Sequence, residues 1–123
     1  MQSGSLEHVN VTVSDPGRTA DLLCTLFGWR VRWTGPAKAG GYTVHVGTDD
    51  SYVAVYSYAP GKAPDLDGGR LNHIGVVVED LGAAEARVRD AGYEPHSHGD
   101  YEPGRRFYFD DADGIEFEVV SYA

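Results

Sequence analysis

The chain is short of cysteine, of basic residues and of long apolar runs, and each shortage excludes a class of protein. Its 123 residues include one cysteine, Cys24, so no intrachain disulfide can form and an oxidising compartment is not required. Ten Lys and Arg against nineteen Asp and Glu give a formal net charge of −9, which disfavours nucleic acid and anionic membranes as partners because phosphates need basic residues. No apolar run approaches the roughly 20 residues of a membrane-spanning helix, and the N-terminus lacks a signal-peptide pattern. We therefore expect a cytoplasmic globular protein.

What the sequence does contain is an internal repeat. Residues 7–15 match residues 72–80, which lie 65 positions further along the chain. Residues 27–29 match 91–93, and residues 55–59 match 119–123, both at an offset of 64. Because three matches keep their order at nearly one offset, we interpret the chain as two copies of one module.

Each copy is predicted to form a strand, a helix and three further strands. Val9, Val11 and Val13 alternate with polar residues, as in a half-buried strand. Asp15 then suits the start of a helix and Gly28 its left-handed end, and the second copy repeats this order. The later strands are predicted at residues 29–33, 42–47 and 52–58 in the first copy and at 94–98, 106–110 and 115–122 in the second. Each module is therefore predicted to be βαβββ.

Two histidines occupy the same position of the two copies. Strand alternation places His8 on the face opposite the valine row, and His73 lies at the equivalent place in the second copy. Near the C-terminus, Glu116 and Glu118 share one face of the last strand, and spacing alone does not choose between them. If the repeats form one surface, two imidazoles and one carboxylate make a facial set that binds a divalent transition metal. A packing role preserved in both copies is the alternative.

These segments resemble the glyoxalase/bleomycin resistance/dioxygenase family, also called the vicinal oxygen chelate (VOC) superfamily. The resemblance covers essentially the whole chain and rests on the strand starts at residues 6–9 and 71–74 and on the closing motif at 107–118. In the family's form of this motif the ligand glutamate stands four residues after the glycine, so Gly114 selects Glu118 over Glu116. Ala112 replaces the proline that is common in this turn.

The resemblance implies an α+β fold in which two tandem βαβββ modules form an open, curved mixed sheet. We expect a single VOC domain over residues 1–123. Module 1 then covers about residues 4–59 and module 2 about residues 70–123. A linker rich in Gly and Pro joins them at about residues 60–69.

The resemblance also implies a metal-dependent enzyme that acts on a small molecule with two adjacent oxygens. Its metal ligands are predicted to be His8, His73 and Glu118, with Fe(II) or Mn(II) favoured and Zn(II) or Ni(II) as alternatives. Glyoxalase and epimerase members generally add a fourth ligand, usually Glu, at the position where this chain has Ala54, whose methyl group can neither ligate nor accept a proton. The three-ligand pattern is closest to that of the extradiol dioxygenases.

Three alternatives for the function stay open. The first is a glyoxalase-type lyase or isomerase, and the second is a fosfomycin-type transferase, which shares the three-ligand pattern. The third, from another class, is a metal-free drug-binding protein like the bleomycin-binding members, which generally lack the ligand set. The resemblance further implies a homodimer, in which the two histidines of one site can come from different chains.

Other side chains are predicted to line the site. Tyr52 and Tyr56 share the face of Ala54 and are predicted to bind an aromatic or apolar substrate, although tyrosine is also simply a good strand former. Tyr108 is predicted to act as a catalytic acid. Arg106 is predicted to pair with a substrate carboxylate, with a solvated turn as the alternative. The sequence offers three further candidate catalytic bases, each of which is also explained as an exposed strand histidine. They are His45, His96 and His98.

Overall fold

The structure is a computed structural model, and it describes residues 3–62, 70–101, 104–112 and 114–123. The chain divides into two compact units. The first unit is His8–Asn72, and the second unit is Met1–Glu7 together with His73–Ala123. Most of the predicted linker, residues 63–69, lies outside the described residues.

The first unit is a mixed four-stranded sheet with one helix on one face. Its strand order is β2-β3-β4-β1, in which β1 and β4 are parallel and the other pairs are antiparallel. The core beneath the helix contains Ala20, Val44, Val46 and Val55, and Val13 packs against it. The elements are β1 (Ser5–Thr12), α1 (Pro16–Phe27), β2 (Arg30–Pro36), a short 3-10 helix (Lys38–Gly40), β3 (Tyr42–Gly47) and β4 (Tyr52–Ser57).

The second unit repeats this arrangement. Its strand order is β5-β8-β7-β6, with β5 and β8 parallel and the other pairs antiparallel. Leu81 and Ala84 pack against Phe107 and Val119 to form its core. The elements are β5 (Leu71–Val77), α2 (Leu81–Asp90), β6 (His96–Tyr101), β7 (Gly104–Asp110) and β8 (Glu116–Ser121).

The helix ends follow from the residues that flank them. The Asp15 carboxylate accepts a hydrogen bond from the Arg18 backbone N–H at 3.1 Å and so begins α1, as predicted. Gly28 ends α1 with a φ of 69°, a left-handed conformation that favours glycine. Asp80 caps α2 in the same way through the Ala83 N–H at 3.0 Å. Neither described helix is long and apolar enough to cross a membrane.

The α+β class and the repeated βαβββ order are confirmed, and the strand register also repeats. Asn10 lies opposite Ala54 in the pair β1/β4, and Gly75 lies opposite Glu118 in the pair β5/β8. Ala54 is therefore the structural counterpart of Glu118, as the sequence repeat predicted. Strand ends differ by a few residues, since β6 begins at His96 and β7 already at Gly104.

Candidate metal centre

In the second unit, β5 and β8 bring His73 and Glu118 into contact. Val119, the residue after Glu118 in β8, points to the opposite face of the sheet and packs in the core beneath α2. His73 Nε2 lies 3.1 Å from Glu118 Oε1, and the two side chains are only 10% and 4% exposed. Two ligand atoms that each lie about 2.1 Å from one metal ion, at right angles, are about 3 Å apart. The separation and the donor types therefore fit a divalent transition metal bound by both atoms.

Arg106 holds the other oxygen of the same carboxylate. Its Nη1 donates a hydrogen bond to Glu118 Oε2 at 2.7 Å, and its side chain is 13% exposed. Burial alone would lower the pKa of Arg106, but attraction to the Glu118 carboxylate raises it above its ordinary value. Arg106 therefore remains charged and fixes Glu118 with Oε1 towards His73. Its predicted pairing with a substrate carboxylate stays a prediction, since here its charge is paired with Glu118.

Tyr108 lies beside this pair on the neighbouring strand. It is directly opposite Glu118 in the pair β7/β8, and its ring meets the His73 ring edge-on with 5.9 Å between centroids. Burial, followed by the negative charge of Glu118, raises the pKa of Tyr108 far above its ordinary value. The phenol consequently keeps its proton at neutral pH and can donate a hydrogen bond.

The raised pKa of Tyr108 predicts a loss of stability in alkali. Because the folded chain holds this proton more tightly than the unfolded chain, the free energy of unfolding falls as pH rises above the ordinary tyrosine value of about 10. We expect Tyr108→Phe to reduce this fall between about pH 10 and 12, measured by urea unfolding at a series of pH values. Tyr42→Phe, at an exposed residue of the first unit, is the control. Equal slopes for wild type and Tyr108→Phe would contradict the prediction.

In the first unit, His8 lies in a stack of rings. It is 6% exposed, and its imidazole stacks on Tyr52 with 4.9 Å between ring centroids. Tyr52 in turn stacks on His45 at 4.5 Å, and the guanidinium of Arg32 lies 4.5 Å from the centre of the Tyr52 ring. The imidazole plane of His8 is thus held by its neighbours, as a ligand histidine requires.

The predicted site residues therefore fall into two groups. The structure brings His73, Glu118, Tyr108 and Arg106 together in the second unit, and it places His8, Tyr52 and Tyr56 on one sheet face of the first unit. Burial, followed by the nearby Tyr58, raises the pKa of Tyr56. The ligand role of His8 and the substrate contacts of both tyrosines stay predictions.

The repeated register also gives His45 a more specific place than the sequence did. His45 lies opposite Ala54 in β3/β4, just as Tyr108 lies opposite Glu118 in β7/β8. His45 is therefore the counterpart of Tyr108, beside the position at which a carboxylate is missing. The sequence repeat implies that His45 corresponds to Tyr108, but the strand register of the structure is needed to identify this pair.

With the fold and these side chains described, comparison with known proteins identifies the family. The model of the Glyoxalase/Bleomycin resistance protein/Dioxygenase superfamily matches residues 5–119, and the chain belongs to this superfamily. The resemblance seen in the strand starts and the closing motif is thereby confirmed. The curated proteins include no match to the chain.

Solved structures with the same fold include two methylmalonyl-CoA epimerases. That of Mycobacterium tuberculosis is 18% identical, with a TM-score of 0.82 over 100% of this chain and 93% of the other. A variant of the Streptomyces coelicolor enzyme in complex with 2-nitronate-propionyl-CoA is 18% identical, with a TM-score of 0.74 over 98% and 99%. A hypothetical protein of Bacillus halodurans is 12% identical, with a TM-score of 0.82 over 98% and 95%. At these identities the likeness shows the fold.

Proposed function

We propose that the chain is a metal-dependent enzyme that binds a small substrate through two adjacent oxygen atoms, with His8, His73 and Glu118 as metal ligands. The observation that carries this proposal is the pair of buried donor atoms in His73 and Glu118, 3.1 Å apart. Burying a carboxylate costs free energy unless its charge is compensated. Here Arg106 compensates it through one oxygen only, while the other faces an imidazole. His8 is the third ligand because it is buried and is the repeat counterpart of His73.

The proposed ligand set would supply Lewis-acid chemistry. A divalent ion held by two imidazoles and one carboxylate acts as Lewis acid and template, with coordination positions left for substrate oxygens. Arg106 keeps Glu118 in its ligating orientation. Tyr108, which lies opposite Glu118 and keeps its proton, is the proposed hydrogen-bond donor to the substrate. Tyr52 and Tyr56 provide the aromatic surface for an apolar or aromatic substrate.

Among reactions of the superfamily, we favour an extradiol-type dioxygenase. Ala54 is 2% exposed and is the counterpart of Glu118, so the first unit provides neither a fourth ligand nor a carboxylate base at this position. A metal ion held by three protein ligands would have coordination positions left for both oxygens of a catechol and for dioxygen. The substrate class is thus a ring with two adjacent hydroxyl groups, and Fe(II) is the metal.

The position of His45 favours an isomerase or epimerase as a second candidate. His45 lies opposite Ala54, so its imidazole can replace the missing carboxylate as the base that removes a proton next to a carbonyl group. Methylmalonyl-CoA epimerases are among the structures that share the fold. This candidate uses the same three metal ligands, but it makes His45 essential.

One pair of assays separates the two candidates. Metal-free protein is loaded with Fe(II) under anaerobic conditions, and oxygen uptake is measured on adding catechol in air. In parallel, deuterium exchange into methylmalonyl-CoA is followed by mass spectrometry. We expect catechol-dependent oxygen uptake that His45→Ala retains and Glu118→Gln abolishes. Proton exchange that His45→Ala abolishes, without oxygen uptake, would instead establish the isomerase. His98→Ala, at an exposed residue of β6, is the control for both assays.

A further inference from the structure

We propose that the second unit carries a second divalent-cation site, formed by His96, Asp110 and Glu116. Each residue offers one ligand atom, and the three atoms lie within 4.8 Å of one another. His96 begins β6, Asp110 ends β7 and Glu116 begins β8, so the three sit at one end of three neighbouring strands. None of them belongs to the proposed first ligand set, so this inference goes beyond the proposed function.

The imidazole of His96 presents one ring nitrogen to the cluster. Its Nδ1 lies 2.8 Å from Ser97 Oγ, which leaves Nε2 as the atom that faces the cluster. This Nε2 is buried and has no hydrogen-bond partner among the described residues, and Asp110 Oδ2 is 3.5 Å away. A buried polar atom without a partner is rare, because it loses its interactions with water without replacement. A cation between His96 and the carboxylates would satisfy it.

The backbone that holds this ring is strained. Ser97 has a φ of 55°, in the left-handed region that residues other than glycine seldom adopt. It lies in an irregular stretch of the β6/β7 pair between His96 and Gly99, and such bulges redirect side chains next to functional sites. The strained residue is the one whose hydroxyl orients the His96 ring. A site that must hold this imidazole in one orientation explains why the strain persists.

The two carboxylates of the cluster repel each other. Asp110 and Glu116 lie directly opposite each other on neighbouring strands, an arrangement that is destabilising for two negative side chains. Within the described part of the chain, no lysine or arginine forms an ion pair with either carboxylate. A divalent cation between them removes the repulsion.

The donor set also indicates the kind of ion. One imidazole with two carboxylates suits a first-row divalent metal such as Mn(II) more than Ca(II) or Mg(II), which prefer oxygen ligands alone. Although His96 Nε2 is covered, the His96 and Asp110 side chains are 36% and 51% exposed, so water can reach the carboxylate side of the site and complete the coordination. We therefore expect weaker, more rapidly exchanging binding than at the buried His73 and Glu118 pair.

Counting Mn(II) in variants that lack His73 tests this site on its own. The free ion is measured by its EPR signal as MnCl₂ is added to metal-stripped protein. We expect His73→Ala to bind one ion per chain, and His73→Ala combined with either His96→Ala or the isosteric Glu116→Gln to bind none. His73→Ala with His98→Ala is the matched control, since His98 lies on the same strand but contacts Glu85, and it should still bind one ion.

Two results would overturn the proposal. The first is that His73→Ala binds no Mn(II). The second is that the double variants, His73→Ala with His96→Ala and His73→Ala with Glu116→Gln, both still bind one ion per chain. Because every variant of the series lacks His73, one of the three ligands of the first set, failure of the proposed function does not affect the outcome. Circular dichroism of each variant verifies the fold, and Glu116→Gln preserves side-chain volume where His96→Ala does not.

Discussion

Replacing His73 by alanine is expected to remove tight metal binding while the protein stays folded. The substitution deletes a buried imidazole whose Nε2 lies 3.1 Å from the Glu118 carboxylate, so two of the three proposed ligands remain. Loss of a residue that merely orients a ligand already costs about 10- to 100-fold in metal affinity, and we expect more than about 100-fold for a ligand itself. The measurement is metal content after purification without chelator or affinity tag, followed by titration of the stripped protein.

His98, an exposed histidine of β6, supplies the matched control for this experiment. His98→Ala removes an exposed imidazole that contacts Glu85, and it should leave the tightly bound metal in place. A wild type that holds no metal, and binds none tightly when Fe(II), Mn(II), Zn(II) or Ni(II) is added, would show that His73 and Glu118 form a hydrogen-bonded pair and no more. A metal-free binding protein would then become the leading interpretation, and ligand screening would turn to the face that carries Tyr52 and Tyr56.

The sequence alone predicted the fold and the faces of the strands for a physical reason. Side chains alternate with a period of two along a strand, so the valine row was predicted to face the helix, where Val13 packs against the core, and His8 to lie on the other face. The repeat then transferred this reasoning to His73. Fold class, helix caps and the counterpart relation of Ala54 and Glu118 all depend on such local or repeated patterns.

What the sequence could not predict depends on strand register and long side chains. Arg106 lies opposite Val120 and reaches diagonally to Glu118, a contact that no spacing along the chain encodes. The turn at Ser97, which orients His96, is an irregularity that alternation does not foresee. Glu116 and Glu118 share one strand face, and the register places Asp110 beside Glu116 and Tyr108 beside Glu118.

The ion pair between Arg106 and Glu118 makes a prediction about stability. In metal-free protein, Arg106→Met should lower the free energy of unfolding by about 3–5 kcal/mol, because it leaves a buried carboxylate without its cation. Adding Glu118→Gln to this variant removes the uncompensated charge and should restore a large part of the loss. Urea unfolding in chelator measures both effects. The control is Arg30→Met, which breaks an exposed pair with Asp49 and should cost at most about 1 kcal/mol.

The same variants test whether Glu118 faces a metal ion. In Arg106→Met the bound ion would be the main positive charge near Glu118, so Mn(II) should stabilise this variant more than it stabilises wild type. The double variant with Glu118→Gln should gain less than either protein, because the carboxylate that attracts the ion to the first site is gone. Equal stabilisation of all three proteins by Mn(II) would contradict the ligand role of Glu118. An unchanged unfolding midpoint for Arg106→Met in chelator would separately contradict the buried ion pair. The Glu118 carboxylate is 4% exposed, so losing the Arg106 charge must lower the free energy of unfolding.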